Sequence, residues 1–221
     1  MSVALNSASG IPYSNAHPFF SPPPIDGWYQ SANKRYEKFR TSGAGSGQLE
    51  EAMFLFKEAA RLSGLAEPRD SVTYARSHLG IARCRRELTF KAPLSYAERR
   101  DHLDQARTHL HRAYDEAIKM NSDALKLRVE LELAVVGARR VQVAEKESNL
   151  DLAAMAAERA EAVAELERLV DMCAGAGRDD LQEYAVKWLV KLGGQRPRPP
   201  RYTKDVHEME EVQEAHELDS P

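Results

Sequence analysis

The sequence predicts an all-α protein, and three observations support that prediction. Ala, Leu, Glu and Arg, which are all good helix formers, dominate the middle of the 221-residue chain. Apolar residues recur there at the three- and four-residue spacing of a helix face. Glycine and proline are scarce in the middle and crowd toward the two ends, so a helical domain is expected over residues 26–194.

The two ends of the chain differ from this body in composition. Residues 1–25 contain five prolines and precede the first charged residue, which predicts an extended or disordered arm. Residues 195–221 open with the basic, proline-rich stretch 196–201, and the last 18 residues hold seven acids and one lysine. This end is predicted to be a disordered spacer and acidic tail, or else a segment that binds a basic partner or the protein's own groove.

Seven helices are predicted within the body. Asp70 or Ser71 is expected to cap the third helix, Ser95 the fourth together with Glu98, and Asn149 or Asp151 the sixth. Glycine-rich breaks separate several of the others, the longest being residues 41–47. The expected ranges are about 26–40, 48–63, 71–88, 96–120, 122–146, 151–173 and 180–192.

The segment 125–136 also carries a pattern that is typical of a strand. Its leucines and valines alternate with charged residues, a period of two. Opposite charges lie four residues apart, as in Lys126 and Glu130, which supports a helix. No second strand-like segment exists to pair with it, and a lone strand is not stable. A well-buried central helix is therefore predicted.

The second helices of successive pairs share a spacing pattern. A small residue is followed at offsets of four and seven by further apolar residues, which allows one helix to approach another closely. Seven helices with such a pattern suggest three antiparallel pairs and a C-terminal capping helix. The matching triplets are Ala52, Phe56 and Ala59; Ala106, Leu110 and Ala113; and Ala162, Leu166 and Leu169.

These features resemble the tetratricopeptide repeat family over residues 26–193. The stretch 49–62 is similar to the second helix of such a repeat, and Leu79-Gly80 and Val136-Gly137 are similar to its Leu-Gly pair. The resemblance implies a right-handed helical-repeat solenoid. The repeats depart from the family length of about 34 residues, because Ala52 to Ala106 spans 54 positions and Ala106 to Ala162 spans 56. A different all-helical bundle is the alternative.

The resemblance also implies where a partner binds. Stacked helix pairs form a concave face lined by the first helix of each pair. Some relatives hold a C-terminal carboxylate there with lysine, asparagine and arginine. Tyr29 and His78 stand where the family has lysine and asparagine, which argues against that clamp. The residues expected to face the groove are Tyr29, Asn33, Ser77 and His78, with Lys126 or Arg128 possible.

The leading functional hypothesis is a non-enzymatic adaptor, complex subunit or dedicated chaperone that binds a peptide or helix of another protein. The alternative is nucleic-acid binding by arginines that merge into one face. A net charge of −3 gives no global basic field to support this alternative. The arginines concerned are Arg83, Arg85, Arg86, Arg99, Arg100, Arg139 and Arg140.

No residue pattern predicts catalysis, a cofactor or a metal. His102, His109 and His111 lack metal-ligand spacing and are interpreted as solvated surface residues. Cys84 and Cys173 are interpreted as reduced core residues, because a secreted disulfide-linked domain usually has more cysteines. With no apolar stretch of membrane length and no secretory pattern at the N-terminus, a cytoplasmic or nuclear location is expected. A helical enzyme remains a third possibility.

Overall fold

The computed structural model describes residues 24–43, 45–147 and 151–194. Over those residues the chain forms seven α-helices and no strand, so the predicted all-α class is confirmed. Of the arm predicted for 1–25, residues 1–23 lie outside the described residues, as does the tail predicted for 195–221, whereas Ile25 already belongs to the first helix. None of the seven helices combines the length and apolar character that a membrane span requires. The helices are α1 (Ile25–Ser42), α2 (Ser46–Leu65), α3 (Ser71–Lys91), α4 (Tyr96–Lys119), α5 (Asp123–Ala144), α6 (Leu152–Gly175) and α7 (Asp179–Lys191).

The helices form a solenoid of two layers. Each helix packs against the next one in the chain, and short links make these neighbours antiparallel. The odd-numbered helices also contact one another in order, α1 with α3, α3 with α5 and α5 with α7. Within the described residues, no two even-numbered helices are in contact. Because the odd-numbered helices are the closer-spaced layer, the stack curves toward them, and they line its concave face.

Capping side chains start three of the helices where the sequence places them. Asp70 accepts a hydrogen bond from the backbone N–H of Thr73 at 3.0 Å, at the start of α3. Ser95 and Glu98 form a complete capping box at the start of α4. Asp151 accepts from the backbone of Ala153 before α6, so these caps are confirmed.

The link between α1 and α2 is shorter than predicted. The sequence suggested a break over 41–47, but α1 continues to Ser42 and α2 begins at Ser46. Gly43 makes a left-handed turn, with φ of 64°, and its N–H donates to the carbonyl of Phe39. One left-handed glycine is enough to end a helix, and Ser42, Ser46 and Gly47 on either side of the link are helical.

The segment with strand-like alternation is the central helix α5. It contacts α4 and α6 as neighbours, and α3 and α7 within the concave layer. Leu127, Val129 and Leu131 are all buried. A helix packed on several sides needs apolar residues around most of its circumference, and alternation over nine residues supplies them.

The core follows the predicted spacing of small and large residues. All nine members of the three triplets are buried, from Ala52 to Leu169. Gly80 of α3 lies directly against Phe56 of α2, so that a Cβ added at Gly80 would lie 2.6 Å from the Phe56 ring. In contrast, a Cβ added at Gly137 of α5 would meet no heavy atom within 4 Å. The two Leu-Gly-like pairs therefore differ in their packing.

Candidate binding groove

A groove of about 470 Å³ runs along the concave face. Residues of α1, α3, α5 and α7 line it, and no residue of an even-numbered helix does. Its lining is mostly charged and aromatic, in contrast to the apolar contacts that hold the helices together. The lining residues are Tyr36, Glu37, Arg40, Arg83, Arg86, Glu87, Arg128, Leu131, Glu132, Arg139, Asp180, Leu181, Tyr184, Lys187, Trp188 and Lys191.

A buried ion cluster lies at the base of this groove. Glu132 of α5 accepts hydrogen bonds from Arg83 (Nε–Oε1, 2.7 Å) and from Arg86, and the side chains of Arg86 and Glu132 are each only 4% exposed. Burial alone would raise the pKa of Glu132, but the two guanidinium groups outweigh it and hold that pKa below its ordinary value. Glu132 thus stays ionised and joins α3 to α5.

Three aromatic side chains form the apolar part of the groove. Tyr36 projects from α1, and Tyr184 and Trp188 project from α7. Burial raises the pKa of both tyrosines, so their hydroxyls remain protonated and available as donors. The guanidinium of Arg139 lies 4.8 Å from the Trp188 ring and 3.3 Å from the Phe90 ring, which holds this cation between two aromatic faces.

Some of the groove's cations have no carboxylate partner. Among the residues that the structure describes, no ion pair includes Arg128, Arg139 or Lys191. The Nε atoms of Arg128 and Arg139 are buried and make no hydrogen bond there. Burial lowers the pKa of Arg139 to about 10, which reflects the cost of keeping this cation out of water. Cations in such a setting can pair with an anionic group.

The groove as a whole carries an excess of positive charge. Seven cationic and four acidic side chains line it, a net charge of +3 in a chain whose own net charge is −3. Such a local field favours acidic ligands and repels basic ones. The cations are Arg40, Arg83, Arg86, Arg128, Arg139, Lys187 and Lys191, and the acids are Glu37, Glu87, Glu132 and Asp180.

The structure does not bring the six predicted groove residues together. Arg128 lies in the groove. Lys126 pairs with Asp123 at 2.9 Å and lines a separate pocket between α5 and α6. Tyr29 packs against the Phe56 ring, with 5.7 Å between centroids, and Asn33 is exposed outside the groove lining.

The placement of Ser77 and His78 corrects the expectation for α3. Both are buried, and His78 contacts α4, where its Nδ1 lies 2.7 Å from Nδ1 of His109. The concave stripe of α3 instead passes through Arg83, Arg86 and Glu87. His109 is therefore not a solvated surface histidine, because its ring stacks on His78 with 5.0 Å between centroids.

The arginines of the nucleic-acid hypothesis do not form one face. Arg83, Arg86 and Arg139 line the groove, and Glu132 neutralises part of the charge of the first two. Arg140 points elsewhere and pairs with Asp104 of α4 at 3.1 Å. Three others lie outside the groove lining, which separates them from the first group; they are Arg85, Arg99 and Arg100.

Most of the groove lining differs from the residues that the sequence predicted. Tyr36, Tyr184 and Trp188 lie at helical spacing with other apolar residues, a pattern that indicates core positions rather than a groove, and they do contact the core. The feature of the sequence that indicates the groove is a charged residue within the apolar stripe of a helix. Arg86 lies between the buried Cys84 and Leu88, and Glu132 lies next to the buried Leu131. Charges at such positions require buried partners, which indicates an interior ion cluster.

The cysteines and potential metal ligands show no reactive arrangement. Cys84 and Cys173 are both free and buried, and burial raises the pKa of Cys84 to about 12. A thiol with such a pKa is a poor nucleophile at neutral pH. No group of three or more His, Cys, Asp or Glu side chains in the described ranges is placed to hold a metal ion.

Comparison with known proteins leaves the family open. No protein-family model matches this chain, that of the tetratricopeptide repeat included, and no curated protein matches it. Among solved structures, a de novo designed helical repeat protein is similar to it, with 15% sequence identity and a TM-score of 0.34. The similarity covers 76% of this chain and 79% of the designed protein.

Proposed function

We propose that this protein is a non-enzymatic adaptor or complex subunit whose concave groove binds an acidic peptide or helix of another protein. The observation that carries the proposal is the set of groove cations that have no ion-pair partner among the described residues and lie beside aromatic side chains. In this proposal the chain is a tetratricopeptide-like repeat protein of the cytoplasm or nucleus. A dedicated chaperone would use the same surface in the same way.

The chemistry of the groove supports a peptide more than an extended nucleic acid. A carboxylate that meets Arg128 or Arg139 forms a charge-assisted, bidentate hydrogen-bonded pair in a partly desolvated site. The half-buried Tyr184 offers apolar surface for the neighbouring side chains of the peptide, as interface aromatics commonly do. The volume of about 470 Å³ matches a few side chains.

Affinity purification of the full chain from its native host tests this function. Arg128→Glu inverts a groove charge that belongs to no ion pair of the described residues, so the fold should persist while acidic partners are lost by tenfold or more. Lys57→Glu makes the same charge change on the exposed face of α2, away from the groove, and should retain those partners. Circular dichroism checks that both variants remain helical.

Two results would contradict the proposal. Recovery of the same partners by both variants would show that the groove is not the binding surface. Loss of all partners after nuclease treatment of the extract would favour the nucleic-acid alternative instead. A partner that survives nuclease and is lost only with Arg128→Glu supports the adaptor function.

A further inference from the structure

The unpaired cations of the groove lie along α5 and α7, next to the point where the described chain ends. Lys191 is the last residue of α7, and the described chain ends at Gly194. Arg139 and Lys191 both contact the Trp188 ring, the latter at 4.4 Å. Arg128 lies toward the other end of α7, near Asp180. The cations therefore follow the length of α7, about 17 Å at 1.5 Å per residue.

The remaining C-terminal sequence has the opposite charge. Residues 204–221 hold seven acids and one lysine, a net charge of −6, against +3 for the groove lining. Apolar residues recur at every third position of this segment, so carboxylates and small apolar groups alternate along it. These apolar residues are Val206, Met209, Val212, Ala215 and Leu218.

The spacer between the two is long enough to join them. Nine residues, 195–203, separate the end of the described chain from the acidic segment, and three of them are prolines. Such a spacer spans up to about 28 Å when extended as polyproline II. Neighbouring helices of a layer lie about 10 Å apart, so every cation of α5 and α7 is within its reach.

We propose that the acidic segment 204–221 binds in the concave groove of its own chain, with its carboxylates paired to Arg128, Arg139 and Lys191. Its apolar residues then lie against the half-buried Tyr184. Tethering makes this contact intramolecular, with an effective concentration near millimolar, so modest affinity is sufficient for occupancy. Its carboxylates then lie beside Arg128 and Arg139, whose Nε atoms have no hydrogen-bond partner among the described residues.

This contact has a consequence that rests on the proposed function. An external acidic partner competes with the segment for the same cations. A full-length variant with the glutamates of 204–221 changed to glutamine should then recover severalfold more partner. Salt weakens both contacts, because both depend on charges near the surface.

Carbodiimide coupling of the full-length protein tests the proposal directly. The reagent joins a carboxylate to a lysine amine in contact with it, with loss of water, and mass spectrometry locates the link. We expect links from Lys187 and Lys191 to acids within 205–219. Their yield should fall severalfold at about 0.5 M salt, where the Debye length is only a few ångströms.

Inverting the charge of a groove residue distinguishes links that depend on binding from links that the tether alone would produce. Arg128→Glu removes no coupling site and leaves the tether intact, so it should lower the yield of these links severalfold, while Lys57→Glu leaves them unchanged. Equal yields in the two variants would overturn the proposal. If Arg128→Glu still loses external partners in that case, the proposed function stands and only the self-contact fails.

Mixing isotopically light and heavy chains before coupling separates self-contact from contact between copies. Links within chains of one isotope support the proposal. If heavy and light chains are linked to each other as often as random pairing predicts, the proposal is overturned. The segment of one copy then binds the groove of another.

Discussion

The contact between His78 and His109 links α3 to α4 through two neutral imidazoles. Their Nδ1 atoms lie 2.7 Å apart, a distance that requires one ring to donate and the other to accept. Burial and the nearby Arg112 lower the pKa of His78 to about 4, and burial and His78 lower that of His109 to about 3. Protonation of the accepting Nδ1 puts two N–H donors face to face, and protonation of either ring places a charge in a partly desolvated site near Arg112.

This pair predicts a loss of stability in mild acid. An unfolded histidine titrates near pH 6.5, so between about pH 6.5 and pH 4 the unfolded chain binds protons that the folded chain does not. Stability therefore falls as the pH falls through this window, by about 2 kcal/mol for the buried His78 at pH 5. Urea unfolding at pH 7 and pH 5 measures the effect.

Matched variants assign the effect to the pair. His109→Gln should flatten the pH dependence of the free energy of unfolding between pH 7 and pH 5. His111→Gln, an exposed position on the same helix, should keep the wild-type dependence. An unchanged slope in His109→Gln would mean that other groups cause the acid sensitivity.

At the scale of the elements, two glycines with similar sequence surroundings have opposite roles. Gly80 lets α3 approach α2 until its backbone meets the Phe56 ring, which is 2% exposed and has little room to move. Gly137 lies in α5 with open space beside it. The first glycine permits a helix contact, whereas the second only weakens its own helix.

Alanine substitution at the two glycines should change the stability of the protein in opposite directions. Gly80→Ala overpacks the α2–α3 contact and should destabilise the protein by about 1–3 kcal/mol. Gly137→Ala gains helix propensity without a clash and should stabilise it by about 0.5–1 kcal/mol. Denaturant unfolding measures both, and a shift of the two variants in the same direction would contradict the packing described for Gly80.

At the scale of the whole molecule, one buried carboxylate maintains the concave layer. Glu132 joins α5 to both Arg83 and Arg86 of α3, and these groups form the base of the groove. The helices α3 and α5 are otherwise next-nearest neighbours, separated in sequence by all of α4. Their relative position therefore depends on a long-range ion cluster as well as on packing against α4.

Removal of this carboxylate should destabilise the whole solenoid. Glu132→Gln leaves Arg83 without its ion-pair partner and leaves the buried Arg86 with Glu87 alone, which should cost about 3 kcal/mol. Glu130→Gln is the matched control: Glu130 pairs with the exposed Arg168 at 3.2 Å, so its loss should cost less than about 1 kcal/mol. Similar unfolding midpoints for both variants would contradict a structural role for the cluster.

The sequence by itself determined the helices, because helix formation and capping depend on residues close together in the chain. The apolar spacing, the caps at Asp70, Ser95 and Asp151, and the glycine breaks are all local signals, and the seven helices follow them closely. Even the strand-like segment of α5 was resolved by charge spacing and by the lack of a second strand.

Only the tertiary structure decided which side chains meet in the groove. Tyr36, Arg83, Glu132 and Trp188 come from four helices, and their proximity depends on the rotation of each helix about its axis. An error of one residue rotates a side chain by about 100°, which is why Ser77 and His78 point into the core rather than the groove. That rotation is set by close contacts such as Gly80 on Phe56 and by buried charges that find partners far away in sequence.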